Sequence, residues 1–361
     1  MMVIFDARWT KTDHHDGISR FGANLLEALV KLTPVTALIC DQRQLKLLPT
    51  GPTYIQVNQP TSPAEILLPL KLNRLDADAV YSPMQIMGTI GRRYKLIFTL
   101  HDTIYYRYPM APTDLSVSAR AFWWLYHQAY WPGRLVLNQA DLIATVSEFS
   151  KHEITSNHLT DRPVEVLYNA APKLPSAIAN TKIKPELVFM GTLMPYKNAE
   201  LLIQSLPLLP KYHLHLTGRA TPDRLAALTA LANQHHVASR ITFWNGASDA
   251  DYAKLLSSAT ALVSASRFEG FGLPLVEGMA HGVPVVCSDI PIFHEVAGKA
   301  ALYFDPDSPA AFADQIRALE QPPVRAELIK LGSAQAASFS WDHTAAKLLK
   351  ILTTLTAQEH K

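Results

Sequence analysis

The run Ser264-Ala265-Ser266-Arg267-Phe268-Glu269-Gly270-Phe271-Gly272-Leu273-Pro274-Leu275-Val276-Glu277 gathers residue types suited to holding an anion. An apolar strand ends near Ala265, glycines follow, and Pro274 stands where the first position of a helix favours proline. The backbone N–H groups of Gly272, Leu273 and Leu275 would then surround the positive end of that helix, where the first N–H groups lack intrahelical partners. Glu269 lies in the loop before this end and Glu277 about one turn inside it, with seven residues between them. That spacing lets the two carboxylates reach two neighbouring parts of one ligand. The plainer reading is a capping loop in which Glu277 only complements the helix dipole. Gly270-Phe271-Gly272 is no dinucleotide fingerprint, because Leu275 stands where the third glycine belongs.

These residues need elements to carry them. Short apolar runs without polar alternation occur at 3–7, 35–40, 79–82, 96–100 and 142–146, and again at 187–191, 213–218, 241–244, 261–265, 283–288 and 301–304. Such runs suit parallel strands covered by helices on both faces. Between them lie helical patterns: 18–32, with Phe21, Leu25, Leu26 and Leu29 at helical spacing, 222–233 and 249–257, and a helix beginning near Glu148 behind Ser147 as its cap. The alternation predicts an α/β protein with a doubly wound sheet in each half. The joint falls at 170–185, where prolines, lysines and small residues interrupt both periodicities, giving domains 1–171 and 172–340. A last helix at about 341–361 carries the stripe Ala345, Leu348, Leu349 and Leu352 and needs a surface to cover, which either domain could supply.

Composition narrows the class. A chain of 361 residues exceeds one compact core, and 48% hydrophobic against 18% charged residues excludes disorder. A formal charge of +2 gives no basic face for nucleic acid. Cys40 and Cys287 each sit in an apolar run and read as buried thiols in a reducing compartment; a disulfide is the alternative. Asp6 and Arg8 follow the first apolar residues too closely for a signal peptide, and no uncharged run is long enough to cross a bilayer. The cytoplasm is the expected location, with contact at the inner face of the cell membrane left open.

The run around Glu269 and Glu277 resembles the Glu-x7-Glu signature of the retaining GT-B-fold glycosyltransferases, the large bacterial family 4, group 1, rich in mannosyltransferases. The resemblance extends over nearly the whole chain. It takes in Gly17-Ile18-Ser19-Arg20-Phe21, Leu100-His101-Asp102-Thr103, Val146-Ser147-Glu148-Phe149-Ser150-Lys151 and Gly191-Thr192-Leu193-Met194-Pro195-Tyr196-Lys197-Asn198. Ser288-Asp289-Ile290-Pro291 with Glu295, and Phe339-Ser340-Trp341, complete it. It implies two Rossmann-like domains facing across a cleft, an N-terminal one for the acceptor and a C-terminal one for a nucleoside-diphosphate sugar. By the same resemblance Lys197, Gly270, Phe271, Gly272, Leu273 and Pro274 hold the diphosphate, Glu277 the ribose, and Glu269 the transferred sugar. Thr192 stands where many members carry an arginine, and Arg219 or Arg267 is the candidate to replace it. In the first domain Gly17 opens a turn whose backbone can approach the diphosphate, with Asp16 in place of a second glycine, and Arg20 is a phosphate or acceptor contact. His101, at the C-terminal end of a strand, is placed close to the transferred sugar; a histidine capping a strand end is the plainer reading.

The implied reaction moves a hexose, mannose from GDP-mannose first and UDP-glucose or another activated hexose next, to a glycan or lipid-linked acceptor of the cell surface. No cofactor and no metal is expected. The triplets at 76–78, 249–251 and 305–307 match the Asp-x-Asp of the other glycosyltransferase fold, yet each lies where aspartate caps a helix or turn. Asp13-His14-His15-Asp16 reads as a polar loop before it reads as a metal site. Phe122, Trp123, Trp124, Tyr126, Tyr130 and Trp131, near Arg120 and Arg134, form an aromatic helical segment. Packing between helices is its default role, and a patch for a lipid-linked acceptor or the bilayer interface the sharper one. Rival functions are a catalytically silent nucleotide-sugar-binding subunit and, further off, a nucleotide-cofactor oxidoreductase.

Overall fold

A computed structural model describes residues 1–111, 116–172 and 182–357. The chain forms two compact units, Met1–Asn169 with Ser340–Lys361, and Ala170–Phe339. Most of the expected joint, residues 173–181, and the last four residues of the expected final helix lie outside the described residues.

The first unit is a seven-stranded parallel sheet in the order β3-β2-β1-β4-β5-β6-β7. Its strands are β1 Val3–Asp6, β2 Val35–Ile39, β3 Thr53–Gln56, β4 Ala79–Ser82, β5 Lys95–Thr99, β6 Leu142–Thr145 and β7 Val164–Val166. The central strands are buried throughout, as unalternating apolar runs require. Strands β3 and β7 are absent from the sequence-based expectation. Each is a short edge strand with polar positions, Thr-Tyr-Ile-Gln and Val-Glu-Val, whose partners lie on one side only.

One face of this sheet is covered by the helix Gly17–Leu29, which buries Phe21, Leu25, Leu26 and Leu29 as its spacing predicts. The helix Trp341–Ala357 lies beside it, burying Thr344, Ala345, Leu348 and Leu352. Phe21 and Trp341 meet edge to face at 5.6 Å, and Thr344 Oγ1 donates to the Tyr168 carbonyl at 2.8 Å. The other face is covered by the helices Leu68–Asn73, Trp131–Leu137 and Glu148–Ser156, whose Leu68, Leu72, Leu137 and Ile154 share a core with Val80, Phe98 and Ile143. The expected cap is in place, with the Ser150 N–H donating to Ser147 Oγ at 2.9 Å.

The second unit is a six-stranded parallel sheet in the order β10-β9-β8-β11-β12-β13. These are β8 Glu186–Phe189, β9 His213–Leu216, β10 Ile241–Phe243, β11 Ala261–Ser264, β12 Val285–Ser288 and β13 Ala301–Phe304. Both units therefore have the doubly wound α/β form expected, with strand order reversing between β1 and β4 in one and between β8 and β11 in the other. Both cysteines are free. Cys287 is buried inside β12, whereas Cys40 is half-buried just after β2, and burial raises both thiols above their ordinary range.

Candidate active site

In the second unit the loops leaving β8 and β11 meet at the reversal point, where open α/β sheets bind ligands. The Arg267 N–H donates to the Tyr196 carbonyl at 2.8 Å, joining the two loops through their backbones. Lys197 Nζ lies 2.5 Å from Glu269 Oε1, and the fully buried Ser266 donates its Oγ–H to the same oxygen at 2.7 Å. Glu269 thus presents one oxygen held by two donors, and Oε2 has no protein donor among the described residues. The β8 loop is placed by close backbone contact. A Cβ at Gly218, after β9, would stand 1.6 Å from the Gly191 carbonyl oxygen, so only glycine fits there. Arg224, which sequence reasoning passed over, supports the same loop by donating to the Leu193 carbonyl and to Glu200 Oε1, each at 2.5 Å.

The helix Leu273–Ala280 begins at this place. Its N-cap, Gly272, has φ +96°, and a Cβ there would stand 2.7 Å from the buried Phe293 ring. Glycine is therefore required by the fold itself. Two sequence-based details need correction. Pro274 is the second helical residue, because the left-handed Gly272 lets the helix begin at Leu273. The Leu275 N–H is already committed, donating to the Gly272 carbonyl at 2.9 Å. The N–H groups of Gly272 and Leu273 meet no protein acceptor among the described residues. They remain uncommitted donors at the positive helix end.

Glu277 sits in the second turn, nearly buried, and its Oε2 accepts the hydroxyl of the buried Tyr252 at 3.0 Å. Tyr252 comes from the helix Asp249–Ser258, which precedes β11. Neither Ser266 nor Tyr252 was singled out from the sequence. Ser266 lies three residues before Glu269 and could have been, whereas Tyr252 is distant and nothing local marks it. Phe271 is buried against Phe339, ring to ring at 5.3 Å, so it shapes the loop from inside. Of the two arginines offered as replacements at Thr192, Arg267 is paired with Asp307 at 2.6 Å. Arg219 is exposed and lies across Gly246, where a Cβ would be 2.7 Å from its Nε.

In the first unit His101 follows β5. Its Nε2 lies 2.9 Å from the Pro83 carbonyl, and its ring meets Phe21 edge to face at 4.9 Å. Burial lowers its pKa from the ordinary 6.5, opposed by the Pro83 contact. A carbonyl only accepts, so Nε2 carries the proton and neutral His101 presents Nδ1 as an acceptor. Phe21 lies one turn from Gly17 and directly follows Arg20, so the same helix start lies beside this strand end. Gly17 is the first helical residue, not part of a strained turn. A Cβ there would meet nothing within 4 Å, so the fold makes no demand for glycine. Asp16 caps this helix through the Ser19 N–H at 2.8 Å.

The acidic triplets have local partners. Asp78 accepts from the Met2 N–H, Asp251 from Ser248 Oγ, and Asp305 from the Asp307 N–H. His15 Nδ1 is 2.8 Å from Ser19 Oγ. The aromatic segment departs from its default: no residue of the helix Val117–Tyr126 is buried.

Comparison with known proteins bears on this arrangement. Residues 172–334 match the family described as glycosyl transferases group 1, and residues 16–172 match glycosyltransferase family 4. O-antigen chain mannosyltransferase B of Escherichia coli is 34% identical over 226 residues, covering 57% of this chain and 59% of that protein. O-antigen chain mannosyltransferase RfbU of Salmonella typhimurium is 28% identical over 324 residues, covering 85% of this chain and 88% of that one. Among solved structures, Anabaena Alr3699/HepE in complex with UDP and glucose superposes with a TM-score of 0.74 at 19% identity, covering 98% and 100% of the two chains. The last likeness shows a common fold.

Proposed function

We propose, from the premise that this chain belongs to the family 4, group 1 glycosyltransferases, that it transfers mannose from GDP-mannose with retention of anomeric configuration. The acceptor is a glycan or lipid-linked glycan of a cell-surface polysaccharide. The observation that carries the reading is the joining of Lys197, Ser266 and Glu269 beside the Gly272-capped helix start. A cation and two uncommitted backbone N–H groups meet a carboxylate there, which suits a diphosphate linked to a hydroxyl-rich sugar. The choice of mannose is supported by the two O-antigen mannosyltransferases, the first of which is matched over only 59% of its length.

A diphosphate carries about two negative charges, and a helix end offers roughly half a positive one. Lys197 adds one positive charge beside that helix end, and the proposed reaction uses no metal ion. On donor binding, the Lys197 ammonium serves both Glu269 and the diphosphate, since it has three donors and one is used. The bond from the sugar C1 to the diphosphate oxygen breaks, and a bond from C1 to the acceptor oxygen forms on the same face. The acceptor proton passes to the leaving diphosphate oxygen. Catalysis rests on positioning and on stabilising the charge that grows on the leaving group. Glu269 Oε2 orients the sugar, Glu277 the ribose, and His101 Nδ1 accepts from a hydroxyl of the sugar or acceptor.

Nucleotide release from GDP-mannose, UDP-glucose and other activated hexoses, with and without acceptor, tests this reading. GDP release above all others, surviving excess chelator and yielding an α-linked product, is the expected result. Binding without release from any donor would reduce the chain to a silent binding subunit. Release of UDP alone would move the donor assignment.

A further inference from the structure

The strands of the second unit carry the candidate active site at their C-terminal ends, and a cavity of about 390 Å³ opens at their other ends. Its walls come from residues just ahead of three strands: Lys184 before β8, Lys211 and Tyr212 before β9, and Thr260 before β11. Glu320 and Arg325, on either side of the start of the helix Pro322–Ala337, complete the polar lining. Short contacts hold the walls together. The Lys184 N–H donates to the Ser258 carbonyl at 2.8 Å, and the Lys184 carbonyl accepts from Thr260 Oγ1 at 2.7 Å. Tyr212 is buried, with its hydroxyl donating to Glu320 Oε1 at 3.1 Å.

The two lysines have acidic partners and the arginine does not. Lys211 meets Glu320 at 2.8 Å and Lys184 meets Glu186 at 3.6 Å, each lysine side chain being more than half exposed. The Arg325 guanidinium donates to the Thr260 carbonyl at 2.6 Å and to the Ala259 carbonyl at 3.3 Å, and it meets no carboxylate among the described residues. Two of its five N–H groups are thereby used, which leaves three for a ligand. Arg240, which donates to the Tyr212 carbonyl at 3.2 Å, is likewise bonded to carbonyls alone.

The missing acid shows in the contrast with Arg8. Burial opposes the charge of both arginines. Asp6 and Glu65 nonetheless raise Arg8 above its ordinary pKa, whereas burial takes Arg325 below it, with Tyr212 opposing only in part. The helix start beside Arg325 adds further positive character. It has no side-chain cap, its first two residues are prolines, and the Val324 N–H meets no acceptor among the described residues.

A buried-side guanidinium without an acid, flanked by two ammonium groups and a helix start, suits a phosphate, which accepts from several such donors at once. The cavity exceeds the size of a phosphate alone, and Ile183, Leu319 and Tyr212 line the remainder. Small-molecule sites combine apolar walls with a few polar groups in this way.

We propose that this cavity binds a phosphate group, free or carried by a small metabolite, with Arg325 as the principal contact and Lys184 and Lys211 beside it. It stands independently of the reaction proposed above. Calorimetric titration of the full chain with inorganic phosphate and with mannose 6-phosphate, at equal ionic strength, tests it. Binding of both is expected; a tighter ester identifies a metabolite as the ligand, and equal affinity identifies free phosphate. Arg325→Gln should weaken binding about tenfold or more. Lys184→Gln should weaken it about threefold, and Glu320→Gln should strengthen it about threefold by removing the acid of the lining. Those two positions are exposed, so they keep the test decisive if Arg325→Gln lowers the thermal midpoint. Lys197→Ala, at the other ends of the strands, should leave phosphate affinity unchanged. No binding of either ligand, or binding that the Arg325, Lys184 and Glu320 substitutions leave unaltered, overturns the proposal. So does binding that Lys197→Ala removes, since the phosphate would then occupy the donor site.

Discussion

Gly272 and Gly17 both stand at a helix start beside strand ends, one in each unit, yet they differ in what requires them. Gly272 has φ +96° and faces the Phe293 ring, so the fold excludes any side chain there. Gly17 has ordinary helical geometry and open space where a Cβ would be. The rest of each site follows the same contrast. In the second unit, Lys197, Ser266, Glu269, Tyr252 and Glu277 are locked by short polar contacts. In the first, the His101 ring has one polar contact and an edge of Phe21, and no donor among the described residues reaches its Nδ1. The difference teaches where to look for ligand rather than fold: a residue type that the protein does not need for its own packing is the better marker of what binds.

The contrast can be tested, beginning with the largest effect. Glu269→Ala is expected to lower turnover by about a hundredfold or more while leaving nucleoside-diphosphate affinity near wild type. Glu277→Ala is expected to weaken nucleotide affinity itself. Calorimetric titration of GDP into both variants, alongside turnover, checks this, and equal losses of affinity would erase the division of roles.

Next comes the glycine pair. Gly272→Ala forces an alanine into a left-handed conformation against Phe293 and should destabilise the protein by about 1–3 kcal/mol. Gly17→Ala should leave stability unchanged or raise it by up to about 1 kcal/mol, because alanine favours a helix over glycine. Its loss should appear in donor turnover alone. Denaturant melts and initial rates on both variants decide the matter, and a Gly17→Ala protein with full activity would make that open space incidental.

His101 gives a pH signature. Its pKa is lowered on folding, so below the ordinary value of 6.5 the unfolded chain binds more protons and stability falls as pH falls. If its neutral Nδ1 accepts a hydroxyl, turnover is level above neutrality and declines on the acid side, beneath the usual histidine range. His101→Asn should abolish that acid limb and lower turnover more than donor affinity. An unchanged profile would leave His101 only its packing role. The smallest effect belongs to Tyr252→Phe, which removes one buried hydrogen bond to Glu277. A net loss of about 1 kcal/mol corresponds to roughly fivefold weaker nucleotide binding. Turnover at saturating donor should be unaffected.

The alternation of buried strands and amphipathic helices was legible in the sequence because strands covered on both faces have no polar positions to obscure them. Edge strands β3 and β7 were not, since three or four residues with polar members carry no such signal. The glycine loop and the two glutamates were legible because they lie within one local run. Tyr252 and Arg224 were not, because their contacts join elements far apart in the chain. The aromatic helix was visible as composition, but its outward display depends on which rings Tyr105 and Tyr106 engage, and only the folded chain decides that.

The central claim is that a donor diphosphate sits at Lys197 and the Gly272-capped helix end. Titrating GDP into the wild type and Lys197→Ala measures it directly. A charge-assisted hydrogen bond contributes about 1.5–3 kcal/mol, so the variant should bind roughly ten- to a hundredfold more weakly, with the fold intact by its melting curve. Wild-type affinity in Lys197→Ala would mean that the diphosphate lies elsewhere.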